Sequence, residues 1–197
     1  MAPNLPADDL QRLADEVRQC RACAEVLPLG PRPVFQISPS ARILIASQAP
    51  GTRAHESGVP FSDASGEQLR RWMGVSAEEF YDSARVAIVP MAFCYPGRGA
   101  SGDAPPRREC AALWRGRLLA GLADLKLTLL VGSYAQEDVL GPGRMTDRVR
   151  DFETYLPGHF PLPHPSWRSR HWAAQHPWFE KTVLPRLREE VAAQLRQ

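Results

Sequence analysis

The sequence lacks any long hydrophobic run. Hydrophobic residues make up 44% of its 197 residues, yet no uninterrupted apolar stretch approaches the roughly 20 residues that cross a bilayer. The amino-terminal segment also lacks the basic and then apolar pattern of a signal peptide. We therefore expect a cytoplasmic protein with no membrane partner. Internal repeats, low-complexity tracts and a domain linker are absent as well, so residues 1–197 are predicted to form a single domain.

An excess of charge of one sign is missing too. The formal net charge is only +2, which gives no strong case for a nucleic-acid partner. Lysine is scarce, because only Lys126 and Lys181 occur among the 24 basic residues. Such a preference for arginine is typical of a GC-rich genome, but arginine also binds phosphate oxygens in pairs through its planar fork. Composition therefore leaves the partner open.

The apolar runs that do occur are short and predict parallel strands. Strands are predicted over 42–47, 85–91 and 127–132, each apolar on both faces as in a sheet covered by helices. A fourth is predicted in the His-Phe-Pro-Leu-Pro segment before His164. Helices are predicted over 8–22, 65–74, 76–82, 106–122, 145–155 and the carboxyl-terminal segment from Trp178. This alternation predicts an α/β fold, a three-layer sandwich whose central four-stranded, mostly parallel sheet is flanked by helices.

The first strand leads directly into a segment of turn-forming and polar residues, SQAPGTRAHESGVPFSDASG, at 47–66. Open α/β sheets bind ligands at the carboxyl ends of their strands, so this segment indicates a pocket. The alternative is a surface loop. Phe61 alone is also typical of a core, and Glu56 and Asp63 are also typical of a solvated surface.

Four cysteines are present, and none is left over if they act together. Cys20 and Cys23 form a C-x-x-C pair near the end of the first predicted helix, and 15 residues separate Cys94 from Cys110. Structural disulfides are rare in the cytosol. Four thiolates suit tetrahedral zinc or a [4Fe–4S] cluster, and their spacing does not separate the two. The other interpretation is four unrelated buried thiols.

In combination these features resemble the family 4 uracil-DNA glycosylases, which carry an iron–sulfur cluster. The resemblance rests on the two cysteine pairs, a strand that ends in an Ala-Pro-Gly turn, a Gly-x-Pro-Phe segment and a late His164-Pro165-Ser166. It extends from Cys20 to about Ser166. It implies a base excision repair enzyme that hydrolyses the N-glycosidic bond of uracil or another damaged base in DNA. A non-catalytic iron–sulfur nucleic-acid-binding protein of the same fold is the alternative, and a zinc-stabilised protein with a small-molecule pocket is a third.

The resemblance also implies which residues bind the cofactor and the base. The [4Fe–4S] cluster, or zinc as the alternative, would be held by Cys20, Cys23, Cys94 and Cys110. The floor of the base pocket would be formed by Gln48, Ala49, Pro50 and Gly51. Phe61 would stack on the flipped base.

Further residues are implied to meet the departing base and the DNA. His164 would face the base carbonyl, where negative charge grows as the glycosidic bond breaks. The alternative is that this histidine, which stands next to a proline, caps a loop. The loop that enters the minor groove would contain Ser166, Trp167, Arg168 and Arg170. The expected partner is DNA with a flipped damaged base, bound by a monomer.

Two departures from the family pattern affect the chemistry. Family members have a glutamate in the motif Gly-Glu-Ala-Pro-Gly that handles the attacking water, whereas this chain has Gln48, which cannot accept a proton. They also have an asparagine before the third cysteine that reads the base edge. Here the only asparagine is Asn4, and Pro90 removes a main-chain donor from that strand. Asp63 is predicted to compensate, in preference to His55 or Glu56, so that the catalytic residues would be Gln48, Asp63 and His164.

Overall fold

A parallel β-sheet lies at the centre of the fold. The computed structural model describes residues 6–100 and 102–196, with the backbone alone at Arg168 and Arg170. The strands of these residues are, in chain order, β1 (Ile43–Ala46), β2 (Val86–Ile88), β3 (Arg98–Gly99), β4 (Gly102–Asp103), β5 (Leu127–Val131) and β6 (His159–Leu162). The central sheet has the order β2-β1-β5-β6, and each neighbouring pair in it is parallel. The predicted four-stranded sheet is therefore confirmed.

Helices connect the strands and follow the last one. The α-helices of the described residues are α1 (Ala7–Arg18), α2 (Thr52–Ser57), α3 (Ala64–Met73), α4 (Ala77–Tyr81), α5 (Arg108–Cys110), α6 (Gly116–Leu119), α7 (Ser133–Leu140), α8 (Met145–Arg150), α9 (Trp167–Gln175) and α10 (Leu184–Leu195). A π-helical stretch, Ala111–Arg115, joins α5 to α6, and another, Phe179–Val183, leads into α10. A 3-10 turn, Phe152–Tyr155, follows α8.

Side chains alternate across the sheet and give each face its own core. Ile43 and Ile45 lie on one face, in a buried cluster that includes residues of α3 and α10. Leu44, between them, belongs to the cluster on the other face, which includes residues of α1 and α6. Helices thus cover both faces, as the doubly apolar strands require, and the three-layer α/β sandwich is confirmed.

The helix predictions were wrong in two respects. The first helix ends at Arg18 rather than continuing to 22, so Cys20 and Cys23 lie in turns beyond it. In addition, α2, α7 and α9 were not predicted. None of the three presents a continuous buried stripe, since α2 buries only Ala54 among its residues and α7 only Ala135 and Gln136. Without such a stripe, the 3.6-residue period that marks a helix is missing from the sequence.

The carboxyl ends of the four parallel strands meet at one edge of the sheet. The chain leaves β1 into the turn 47–51, β2 into 89–92, and β6 into 163–166. At the end of β5, Gly132 adopts a φ of 86°, in the left-handed region that favours glycine, and the chain turns at once into α7. Four connections therefore converge where ligands of open α/β sheets bind.

Within the residues described, we find no helix with both the length and the apolar character that crossing a membrane requires.

Candidate functional site

A cavity of about 490 Å³ opens at this edge of the sheet. Its floor is the turn that follows β1, and its walls include residues that follow β2 and β6. Nine of the residues predicted from the sequence line it: Gln48, Ala49, Pro50, Gly51, Phe61, Asp63, His164, Ser166 and Trp167. The segment 47–66 thus contributes to a pocket, although His55 and Glu56 are not among the described residues that line it.

The turn after β1 is fixed by main-chain hydrogen bonds. The amide of Met91 donates to the carbonyl oxygen of Ser47 over 2.7 Å, and the amide of Ala92 donates to that of Gln48 over 3.1 Å. These bonds extend the pairing of the first two strands beyond the sheet. Gly51 then forms the N-cap of α2, and its carbonyl oxygen accepts from the amide of His55. The pocket floor is therefore rigidly connected to the core.

Phe61 is held in the pocket wall by an unusual backbone conformation. Its φ is 54°, in the left-handed region, which costs free energy for a residue with a bulky side chain. The Tyr81 hydroxyl donates to the Phe61 carbonyl oxygen over 3.0 Å, and the Phe61 ring packs edge-on against Phe80 at 6.1 Å between centroids. The ring is half-buried, so it combines contact with the core and access to the cavity.

Asp63 has a structural task in addition to its place in the wall. It is the N-cap of α3, and its Oδ1 accepts from the amide of Gly66 over 3.0 Å. This bond satisfies one of the unpaired amides that open a helix. One carboxylate oxygen of Asp63 is therefore committed to the helix, and the other remains for the cavity.

Gln48 reaches across the cavity to a segment that the sequence did not identify. Its Nε2 donates to the carbonyl oxygen of Ala104 over 2.8 Å. Ala104 directly follows the hairpin formed by β3 and β4, in which Arg98 pairs with Asp103. Asp103 lines the cavity. The sequence did not indicate it, because an acidic residue in the Gly-rich segment 97–103 is typical of a surface turn.

The Asp103 carboxylate faces inward, although the residue as a whole is exposed. Its Oδ2 lies 3.7 Å from the position that a Cβ atom would take at Gly51. Partial burial raises the pKa of Asp103 above its ordinary 3.8, and the negative charge of Asp63 adds to this, while His164 and Arg98 oppose it. The two carboxylates and the imidazole thus share one electrostatic environment.

His164 follows β6 and is fixed through its main chain. Its carbonyl oxygen accepts from the amide of Ser166 over 2.8 Å and from the hydroxyl of Ser169. Burial lowers the pKa of His164 below its ordinary 6.5, and the nearby Asp63 and Asp103 only partly offset this. The imidazole is therefore neutral at pH 7 and offers one N–H donor to the cavity.

The predicted minor-groove segment is a helix rather than a loop over most of its length. Helix α9 begins at Trp167 and has Ser166 as its N-cap, so Arg168 and Arg170 belong to the helix. The side chains of these two arginines lie outside the described residues. Trp167 is 74% exposed at the cavity and is the most exposed large hydrophobic residue of the described chain.

The four cysteines converge at a second location. The pKa of the Cys94 thiol is raised to about 12, mainly by burial and in smaller part by the neighbouring Cys110, Cys20 and Cys23. The indole Nε1 of Trp114 donates to Cys20 Sγ over 3.3 Å. The described residues contain no group of three or more His, Cys, Asp or Glu side chains arranged to hold one metal ion. The mutual electrostatic influence of the thiols shows that they are near neighbours.

The comparison with protein families agrees with this architecture. Residues 34–188, most of the chain, match the family model described as the uracil DNA glycosylase superfamily. The matched region contains the sheet, the cavity and two of the four cysteines, Cys94 and Cys110.

Proposed function

The chain belongs to the uracil DNA glycosylase superfamily, and from this premise we propose that it is an iron–sulfur DNA glycosylase of the family 4 type. It would remove uracil or another damaged base from DNA in base excision repair. The observation that carries the proposal is the meeting of Phe61, His164 and the turn after β1 in one cavity at the carboxyl edge of the sheet. Membership alone would leave open whether a base pocket exists.

The cavity has the size and walls that a flipped base needs. Its volume of about 490 Å³ falls within the range of ligand pockets, about 300–1,000 Å³. A base taken out of the DNA stack loses its neighbours, and a flat aromatic wall replaces part of that stacking. Phe61 offers such a wall because its strained turn holds the ring at the cavity rather than within the core.

His164 offers a hydrogen-bond donor to the departing base. When the glycosidic bond breaks, its electron pair leaves with the base, and a carbonyl of the base gains negative charge. A fixed donor at that oxygen stabilises the transition state more than the ground state. The hydrogen bonds to the His164 carbonyl oxygen favour this role, because they fix the backbone from which the imidazole enters the cavity.

The DNA would approach the cavity across the start of α9. Exposed Trp167 offers an apolar surface at the rim, and Ser166 lines the cavity beside it. We assign Arg168 and Arg170 to phosphate contacts, which set the orientation of the duplex and carry most of the salt-dependent affinity.

Cys20, Cys23, Cys94 and Cys110 would hold a [4Fe–4S] cluster. Each cysteine of such a cluster binds one iron, and zinc held by the same four thiols is the alternative. Bound there, the cluster supplies a covalent connection between the segment after α1 and the body of the fold. The thiols lie outside the cavity wall, and no step of base removal passes through them.

A base-excision screen tests the proposal. Single- and double-stranded oligonucleotides that bear uracil, hypoxanthine, xanthine or oxidised pyrimidines are incubated with metal-replete protein, and free base is measured. We expect release of at least one of these bases. The panel is broad because a pocket without the asparagine of the family has no fixed preference for the edge of uracil. A protein that binds DNA but releases none would support the non-catalytic alternative.

A further inference from the structure

The site lacks a proton acceptor where the family motif carries one. Gln48 occupies that position, and its side-chain amide is already engaged, because Nε2 donates to the Ala104 carbonyl oxygen over 2.8 Å. A glutamate at this position would place a carboxylate oxygen against a carbonyl oxygen, which repel each other. The glutamine is therefore matched to the segment it holds, and a carboxylate has to come from elsewhere.

Asp103 is the carboxylate that this contact positions. It directly precedes Ala104, so the Gln48 hydrogen bond fixes the main chain next to it. Its Oδ2 lies 3.7 Å from the Cβ position of Gly51, three residues after Gln48 in the same turn. A carboxylate thus sits over the turn that forms the pocket floor, although it belongs to a segment about 50 residues away in sequence.

The other candidate carboxylates are less suited. Asp63 commits Oδ1 to the amide of Gly66 at the start of α3, so only one of its carboxylate oxygens remains for a water. Glu56 and His55 are not among the described residues that line the cavity. Within the described residues, burial and neighbouring charges act on the Asp103 carboxylate, and no hydrogen bond to it is among these influences.

We propose that Asp103 is the catalytic carboxylate of this site and that Gln48 is the positioning residue that holds it there. The inference rests on the proposed glycosylase function and deepens it. In this chain an amide stands where the family motif has an acid, and the carboxylate comes instead from the β3–β4 hairpin.

The reaction that these residues support consumes one water. The bond between C1′ of the sugar and the base nitrogen breaks, and its electron pair leaves with the base, whose carbonyl His164 stabilises. The water oxygen forms the new bond to C1′, while Asp103 accepts the proton that the water gives up. That proton then neutralises the base anion, so the products are an abasic sugar and a free base, and Asp103 returns to its ionised form.

The charges around Asp103 determine the pH range in which it can accept a proton. Those that face it are His164, Asp63 and, across the hairpin, Arg98. Burial and Asp63 raise the pKa of Asp103, which makes it a better base than an ordinary aspartate. It accepts a proton only when ionised, so the rate should fall as the pH drops through this raised pKa.

The test compares Asp103→Asn with wild type on the base that the screen identifies, by single-turnover excision rate, DNA affinity and circular dichroism. We expect a rate at least about 100-fold lower, with unchanged DNA affinity and secondary structure. Asp124→Asn, an exposed aspartate outside the cavity, is the matched control and should keep the wild-type rate. Asp63→Asn should cost less than Asp103→Asn.

The pH profile separates catalysis from a structural role. The wild-type rate should show an acidic limb that Asp103→Asn and Asp103→Ser both lose. A wild-type rate in Asp103→Asn, a retained acidic limb, or a larger loss in Asp63→Asn would each overturn the assignment while the glycosylase function stands. If wild type itself releases no base, the proposed function fails and the assignment fails with it.

Discussion

His164 is the residue whose removal best separates the chemistry of the site from DNA binding. It offers a donor to the departing base, whereas affinity for DNA depends on phosphate contacts elsewhere. Loss of one preorganised donor typically costs about 10²–10³ in rate. We therefore expect His164→Ala to lower single-turnover excision by this factor and to leave the DNA dissociation constant nearly unchanged.

His171→Ala is the control for that variant, because it removes an exposed imidazole whose recorded side-chain partner is Gln175 on the same helix. It should excise at the wild-type rate. Salt-titrated affinities should be measured on the same substrate, since Arg168→Ala and Arg170→Ala are expected to weaken binding and flatten its salt dependence. An His164→Ala protein that cleaves as fast as wild type would remove the imidazole from the mechanism.

At the scale of elements, the connection from Phe61 into α3 holds the pocket wall in place. Gly66 lies in the first turn of that helix and is buried. A Cβ atom there would come within 1.8 Å of the Phe61 carbonyl oxygen, and this neighbour is backbone that cannot rotate away. Gly66→Ala therefore has to displace the turn in which Phe61 adopts its positive φ.

We expect Gly66→Ala to lower the free energy of unfolding by about 1–3 kcal/mol, the usual cost of overpacking, and to reduce excision because the aromatic wall moves. Denaturant unfolding and single-turnover rates measure the two effects. Gly116→Ala is the matched control, since a Cβ atom there meets nothing within 4 Å in a helical conformation. It should stabilise the protein by about 0.5–1 kcal/mol. A Gly66→Ala protein as stable as wild type would contradict this account of the turn.

The elements also show what could be predicted from the sequence. The strands could be predicted from the sequence, because both faces of a parallel sheet are buried and each strand therefore appears as a short, wholly apolar run. The family resemblance implied that the turn after β1, Phe61 and His164 share one pocket, and the meeting of the carboxyl ends of parallel strands at one edge explains why they do. In contrast, helix α2 could not be predicted. It follows Pro50-Gly51, which indicates a turn, and its N-cap makes no side-chain hydrogen bond.

Asp103 could not be predicted for a different reason. Strands β3 and β4 have two residues each and are exposed, so neither carries an alternating or apolar pattern. What brings Asp103 to the cavity is the contact between Gln48 and Ala104, a long-range contact that no local propensity encodes. The one signal in the sequence was Gln48, which stands where the family motif has a glutamate. It indicates that a carboxylate is missing from the motif, but not which residue supplies one.

At the scale of the whole molecule, the four cysteines belong to segments that are far apart in the sequence. Between α1 and β1 the described chain contains no named strand or helix, and Cys20 and Cys23 lie in this stretch. Cys94 follows the second strand, and Cys110 ends α5, where the π-helical stretch places Trp114 beside Cys20. A metal group bound by all four would close a loop of more than 70 residues between Cys23 and Cys94.

Such a closure should make stability depend on the metal. Cross-linking a long loop removes conformational freedom from the unfolded chain, and metal binding at a site absent from the unfolded state adds directly to folding free energy. We expect Cys20→Ser to lose iron and acid-labile sulfide, lose the brown colour of the wild type, and melt at a clearly lower temperature. Trp114→Phe, which removes the N–H donor to Cys20 Sγ but keeps all four thiols, should retain the metal and melt closer to wild type. Metal analysis, visible absorption and thermal melts on anaerobic preparations measure these effects.

Stoichiometric zinc in a colourless wild-type protein would contradict the cluster, because zinc has no redox or visible chemistry. A Cys20→Ser protein that keeps its metal and melts with wild type would instead show that the amino-terminal pair does not connect these segments.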